Sequence, residues 1–267
     1  MPTSRAISKD GTPIAYERLG SGPPLILVDG ALCSRAFGPM PKLAPLLTDR
    51  FTVYVYDRRG RGESGDTSPA AKAREIEDLA ALIDVAGGRA ALLGLSSGAA
   101  LAMEAAAAGL PVTGVVAYEP PYVEPDGSTN GRAHPARLQE ILARGDRGGA
   151  LKYFMRVMVG VPAPFVWLMQ VMPMWRTLKT VAHTLPYDCD VMGDFTVPTG
   201  RLAGIAIPTL VMHGAKTNER LKQAAGAVAA AIPGARWQTL AGQTHNVSAA
   251  VLAPVAADFL GSAATAR

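Results

Sequence analysis

The sequence predicts an α/β fold: a mostly parallel, eight-stranded sheet with helices on both faces. Three observations point there. Short apolar runs suited to buried strands alternate with segments of helical spacing. Runs such as Leu25-Ile26-Leu27-Val28 are apolar throughout, as strands covered on both faces should be. The alternation breaks once, from Pro120 to about Thr199, and then resumes.

In order, Asp10-Gly11 is a hairpin signal between strands at 5–8 and 12–18. A buried strand at 24–28 ends on Asp29-Gly30. Strand 51–56 and a helix at 73–85 follow, then strand 90–93, a helix at 97–108 stopped by Gly109, and strand 112–118. The interval after Pro120 is rich in Pro, Met and aromatics and holds helical pieces but no clear strand. Beyond it come strand 209–212, helix 219–232, strand 236–240 and helix 247–260. The interval therefore reads as a helical insertion at 123–199, after the sixth strand. Residues 1–122 and 200–267 form the core.

The bulk properties exclude several classes. A chain of 267 residues with 49% hydrophobic and 18% charged residues can bury a large core, so disorder is not expected. The net charge of +4 is scattered apart from Arg58-Arg59-Gly60-Arg61, so no nucleic-acid partner is expected. Two distant cysteines, Cys33 and Cys189, do not make a disulfide framework. No signal peptide or membrane span is evident, which makes a cytoplasmic protein without a membrane partner the expectation. The oligomeric state is left open.

The chemistry-bearing residues begin with Gly94-Leu95-Ser96-Ser97-Gly98. This pentapeptide is common by chance, but here it directly follows an apolar strand and directly precedes a helix. A turn that tight needs small residues beside the serine and projects its hydroxyl at the sheet edge. Ser96 is the candidate nucleophile. Of four histidines, His245 lies late, in the loop between the last strand and the last helix, where a base serving Ser96 fits. His213 ends an apolar strand and reads as structural. His134 and His183 fall in the insertion.

At this point the chain resembles the α/β-hydrolase superfamily over nearly its whole length outside the insertion. The landmarks are Val28-Asp29-Gly30-Ala31 after the third strand, Asp57-Arg58-Arg59-Gly60-Arg61-Gly62-Glu63-Ser64 after the fourth and the Ser96 elbow. Pro208–Gly214 and Gly242-Gln243-Thr244-His245 complete the set, in that order. The resemblance implies an oxyanion hole from the backbone amides of Ala31 and Ser97. It also implies chemistry that requires no metal or organic cofactor.

The sequence departs from the family pattern in two places. The usual acid position, after the strand at 209–212, reads Gly214-Ala215-Lys216-Thr217-Asn218-Glu219, with Thr217 near the expected Asp. Glu119, ending the sixth strand before Pro120-Pro121, is the favoured acid, because some branches of the superfamily place it after that strand. Glu219 is the alternative, although a carboxylate there also suits a helix N-terminus. In addition, Asp29 replaces the usual His. It either orders its loop by accepting backbone hydrogen bonds or faces substrate, repelling anions or positioning water. The Arg58–Arg61 cluster reads as structural, pairing with Asp57, Glu63 or Asp66.

The insertion carries Phe154, Met155, Met158, Phe165, Trp167, Met169, Met172, Met174, Trp175 and Met192. Such flexible apolar side chains suit a lid over an apolar pocket, with Met158 and Trp167 as candidate substrate contacts. The implied activity is hydrolysis of a carboxylic ester or lactone of a fairly apolar small molecule. Alternatives are perhydrolase, haloperoxidase or carbon–carbon hydrolase activity on the same triad, or a non-hydrolytic lyase, cyclase or ligand-binding protein.

Overall fold

A computed structural model describes residues 3–123, 131 and 133–265; residues 124–130 and 132, within the expected insertion, lie outside the described residues. Eight strands form one sheet in the order β1-β2-β4-β3-β5-β6-β7-β8. Strands β1 (Ser4–Ile7) and β2 (Pro13–Leu19) make the Asp10-Gly11 hairpin. β2 also runs antiparallel to β4 (Thr52–Tyr56). From β4 onward the neighbours β3 (Pro24–Val28), β5 (Ala90–Leu95), β6 (Val112–Tyr118), β7 (Thr209–Gly214) and β8 (Arg236–Leu240) are parallel.

Helices α1 (Met40–Leu43), α2 (Lys72–Val85) and α3 (Ser97–Ala107) precede β6. Among the described residues, the helices between β6 and β7 are α4 (Ala133–Ala143), α5 (Arg147–Tyr153), α6 (Ala163–Val171), α7 (Met174–Val181), α8 (Leu185–Met192) and α9 (Thr199–Leu202). A π-helical turn, Phe154–Met158, extends α5. Helices α10 (Glu219–Ala231) and α11 (Ala249–Thr265) follow β7 and β8.

The pleat of the central strands divides the core. Leu25, Leu27, Leu93 and Val116 join one apolar cluster with Met40 and Leu43 of α1 and Leu252 and Ala256 of α11. Their chain neighbours Ile26, Val28, Leu92 and Val115 join another, with Leu79 of α2, Ala99 of α3 and Val228 of α10. Alternating side chains thus feed both faces of one sheet, which is why β3 and β5 carry no polar position. Leu151, Trp175, Leu178 and Leu185 of the inserted helices pack into the second cluster.

Several elements outrun their sequence signals. β5 continues to Leu95 because it pairs with Tyr118 of β6, and β7 continues through His213 to Gly214 because it pairs with β8. Helix α11 starts later than expected and runs on to Thr265 with Pro254 inside it. Cys33 and Cys189 are free thiols.

Candidate active site

Parallel strands of one sheet end together, so the loops after β3, β5, β6, β7 and β8 converge at one edge. Ser96 leaves β5 with φ 54° and ψ −128°, a conformation that costs a non-glycine residue on the order of 1–3 kcal/mol. Its N–H bonds Tyr118 O at 2.9 Å, and its C=O accepts from Ala99 N. The flanking glycines are fixed by contact: a Cβ on Gly98 would sit 2.2 Å from Val28 O, and one on Gly94 2.4 Å from Gly98 O. The elbow is therefore wedged between α3 and the end of β3, with the Ser97 amide opening α3.

Glu119 leaves β6 in the left-handed region (φ 48°), pinned by its N–H to Met212 O of β7. Its fully buried carboxylate makes three hydrogen bonds. Oε1 accepts from Gly214 N (2.7 Å) and from the hydroxyl of Thr217. Oε2 lies 2.7 Å from His245 Nδ1. Burial pushes the Glu119 pKa up, but the bonds from His245, Gly214 and Thr217 outweigh it and hold the acid below its ordinary range. Tyr118, the preceding residue, donates its hydroxyl to Thr244 O at 2.6 Å and so anchors the histidine loop.

The structure thus brings Ser96, His245 and Glu119 to the same sheet edge. Glu219 goes elsewhere: it sits in the first turn of α10, 75% exposed and paired with Lys222. Thr217, where the sequence comparison expects an acid, donates instead to Glu119. Among the described residues no hydrogen bond joins Ser96 Oγ to His245, whose side chain is 42% exposed; such bonds commonly tighten only when substrate is bound.

A cavity of about 290 Å³ opens on these groups. Ala31, Ser96, Ser97 and His245 line its floor, and Pro121, Val123, Phe154, Met158, Met192 and Phe195 supply apolar walls. Asn218, Arg220 and Leu221 add a partly polar side. Met158 lines this cavity, but Trp167 does not. It sits on the outer side of α6, 68% exposed and away from the cavity, because Val166 is the residue that α6 turns inward.

The basic cluster corrects a second expectation. Arg58, Arg59 and Arg61 are buried, yet their partners are not Asp57, Glu63 or Asp66. Arg58 pairs with Glu75 (2.6 Å) and Asp188 (2.7 Å), Arg59 with Asp78 and Asp10, and Arg61 with Asp188 (2.7 Å). Arg35 takes Asp57 and Glu63, while Asp66 meets His183 and Tyr187. Arg58 and Arg61 also donate to the carbonyls of Asp29 (3.2 Å) and Gly30 (2.6 Å), fixing the loop that carries Ala31. Asp188, on α8, accepts from Ser97 Oγ at 2.7 Å and lines the cavity. Burial raises its pKa, and the Arg61 and Arg58 charges more than reverse this. Sequence reasoning missed Asp188; nothing in the insertion distinguishes it from a surface acid.

Asp29 is buried beside this network, and among the described residues neither of its carboxyl oxygens has a hydrogen-bond partner. It does not line the cavity. Burial pushes its pKa up to about 8, against the pull of Arg61 and Arg58. His213 is buried, with Nε2 3.0 Å from Thr239 Oγ1 and its ring against Trp237. Among the described residues no group of three or more His, Cys, Asp or Glu side chains is placed to hold a metal ion.

Residues 20–257 match the alpha/beta hydrolase family. The chain belongs to that family. An alpha/beta hydrolase from Sphaerobacter thermophilus DSM 20745 is 51% identical, with a TM-score of 0.88 over 96% of this chain and 99% of that one. A thermophilic esterase from Thermogutta terrifontis (21% identity, TM-score 0.75, 98% and 99% coverage) shares the fold. So does an enol-lactonase from Burkholderia xenovorans LB400 (19%, 0.71, 97% and 100%). No curated protein matches the sequence. For an alpha/beta hydrolase, the departure that stands out is Glu119, just past β6, bonded to His245, with threonine on the β7 loop.

Proposed function

We propose that this alpha/beta hydrolase is a serine hydrolase that cleaves a carboxylic ester or lactone of a fairly apolar small molecule. The observation that carries this reading is the 2.7 Å contact between His245 Nδ1 and the buried Glu119 carboxylate, opening on the cavity that Ser96 lines. Ser96 Oγ attacks the carbonyl carbon while His245 Nε2 takes its proton. Glu119 keeps the other ring proton on Nδ1 and stabilises the imidazolium. The amides of Ala31 and Ser97 donate to the oxyanion. Collapse expels the alcohol, which receives its proton from His245. Water, deprotonated by His245, then releases the acid and restores Ser96.

The apolar walls favour an uncharged acyl group, and the volume limits it to a small one. In this reading residues 123–199 act as a lid on the core formed by 1–122 and 200–267, and Met158 contacts the acyl chain. The fold and the esterase and enol-lactonase neighbours support this class of substrate. A series of p-nitrophenyl esters of rising chain length tests it. Turnover should peak at short to medium chains and vanish in Ser96→Ala. Turnover that persists in folded Ser96→Ala would refute the proposal.

A further inference from the structure

Helix α6 is built the wrong way round for a surface helix. Val166 faces the core, with Met169 and Gln170 beside it half-buried. On the opposite side stand Phe165, Trp167, Leu168, Val171 and, just past the helix end, Met172, each between 43% and 70% exposed. At 100° per residue these five cover an outer arc of roughly 160° with no polar side chain. An ordinary surface helix places its charges there.

The surroundings of this face are cationic. Between Asp146 and Asp188 the chain carries Arg147, Lys152, Arg156, Arg176 and Lys179 and no acidic residue. Helix α7 packs against α6 and buries Trp175, Leu178 and Val181, leaving Arg176 and Lys179 on its solvent side. A groove beside Gln170 of α6 is lined by Arg147, Lys152, Arg176 and Lys179, with Asp146 its one acid. Asp146 is engaged in capping α5 through Gly149 N. Arg147 donates to the carbonyls of Lys179 and Thr180, so the groove is held in shape.

We propose that this face docks on an anionic lipid bilayer, with α6 lying in the interface and the cations of α5 and α7 against the headgroups. An exposed apolar stripe beside a field of Lys and Arg is the pattern of an interfacial helix. Charge decides between occupants. A second copy pairing through the same face would bring two cationic rims together. A nucleic acid would satisfy the cations but leave Leu168, Val171 and Met172 without an apolar partner. Among the described residues no helix is long and apolar enough to cross a membrane, so α6 would lie on the bilayer rather than span it. Val159, 52% exposed, lies four residues before α6 and also lines the cavity, which ties the docking face to the proposed active site.

The test uses the full chain and is independent of esterase activity. Vesicles of phosphatidylcholine alone are compared with equal mixtures containing phosphatidylglycerol, by co-sedimentation and tryptophan emission. The protein should bind only the anionic vesicles, release at high salt, and shift its emission to the blue. Trp167→Phe should remove the shift and keep the binding. Arg176→Gln with Lys179→Gln should weaken partitioning about thirtyfold, on the order of fivefold per cation. Leu168→Glu should abolish it; all are surface changes, checked for folding by circular dichroism. Absent binding to anionic vesicles would overturn the proposal. So would binding indifferent to the two cations, a dimer split by Leu168→Glu, or nucleic-acid binding without vesicle binding.

Discussion

Replacing Glu119 by Gln changes one atom in a site whose hydrogen bonds leave no neutral solution. Gly214 N–H and the Thr217 hydroxyl both reach Oε1, and His245 Nδ1 reaches Oε2. If the amide oxygen stays toward Gly214, the NH₂ group faces His245 and forces Nδ1 to accept, leaving the ring proton on Nε2, where it cannot take one from Ser96. If the amide flips, its NH₂ opposes the Gly214 N–H, which has no way to turn. Either way the imidazolium also loses its carboxylate. In a serine triad the wrong tautomer lowers kcat on the order of 10⁴-fold, or about 5 kcal/mol at 1.36 kcal/mol per decade. Glu219→Gln, at an exposed residue paired with Lys222, should leave turnover within about twofold, as surface changes do. Ester turnover at saturation, with melting curves to confirm folding, separates the two. Full activity in Glu119→Gln, or loss in Glu219→Gln, would refute the assignment of the acid.

Two further predictions concern the buried charges. Asp188→Ala leaves Arg58 and Arg61 without a shared partner; urea unfolding should show a loss of about 3–5 kcal/mol, and Ser97 Oγ loses its acceptor. Asp29 tests linkage. Its folded pKa of about 8 exceeds its unfolded value, so the folded state holds the extra proton between roughly pH 4 and 8 and stability drains away as pH rises through that window. Asp29→Asn has no such proton, so its melting temperature should gain on the wild type from pH 4 to 8 and stop gaining above about 8. A constant difference across that range would contradict a raised pKa.

Most of the scaffold was legible because its signals are local. A β3 run of four aliphatic residues, the Ser96 elbow between strand and helix, and a late His245 each declare themselves within a few positions. The contact of Glu119 with His245 was foreshadowed for a different reason: the β7 loop carries threonine where an acid is usual, and the neighbouring strand ends on a carboxylate. The donor role of Thr217 follows only once Glu119 is placed beside it, 98 residues away in the chain. The partners of Arg58 and Arg61 were misjudged because sequence favours near neighbours, whereas Asp188 arrives from the insertion 130 and 127 positions on. Trp167 was misplaced because an aromatic in an apolar helix signals burial, and α6 is apolar on its solvent side as well.

The most direct measurement is covalent labelling by a fluorophosphonate, which phosphonylates a serine only when a base and an oxyanion hole activate it. Intact mass followed by peptide mapping should place one adduct on Ser96. Labelling should be lost in Ser96→Ala and strongly slowed in His245→Ala and Glu119→Gln. A folded wild-type chain that takes no label, or takes it on another serine, would contradict the account.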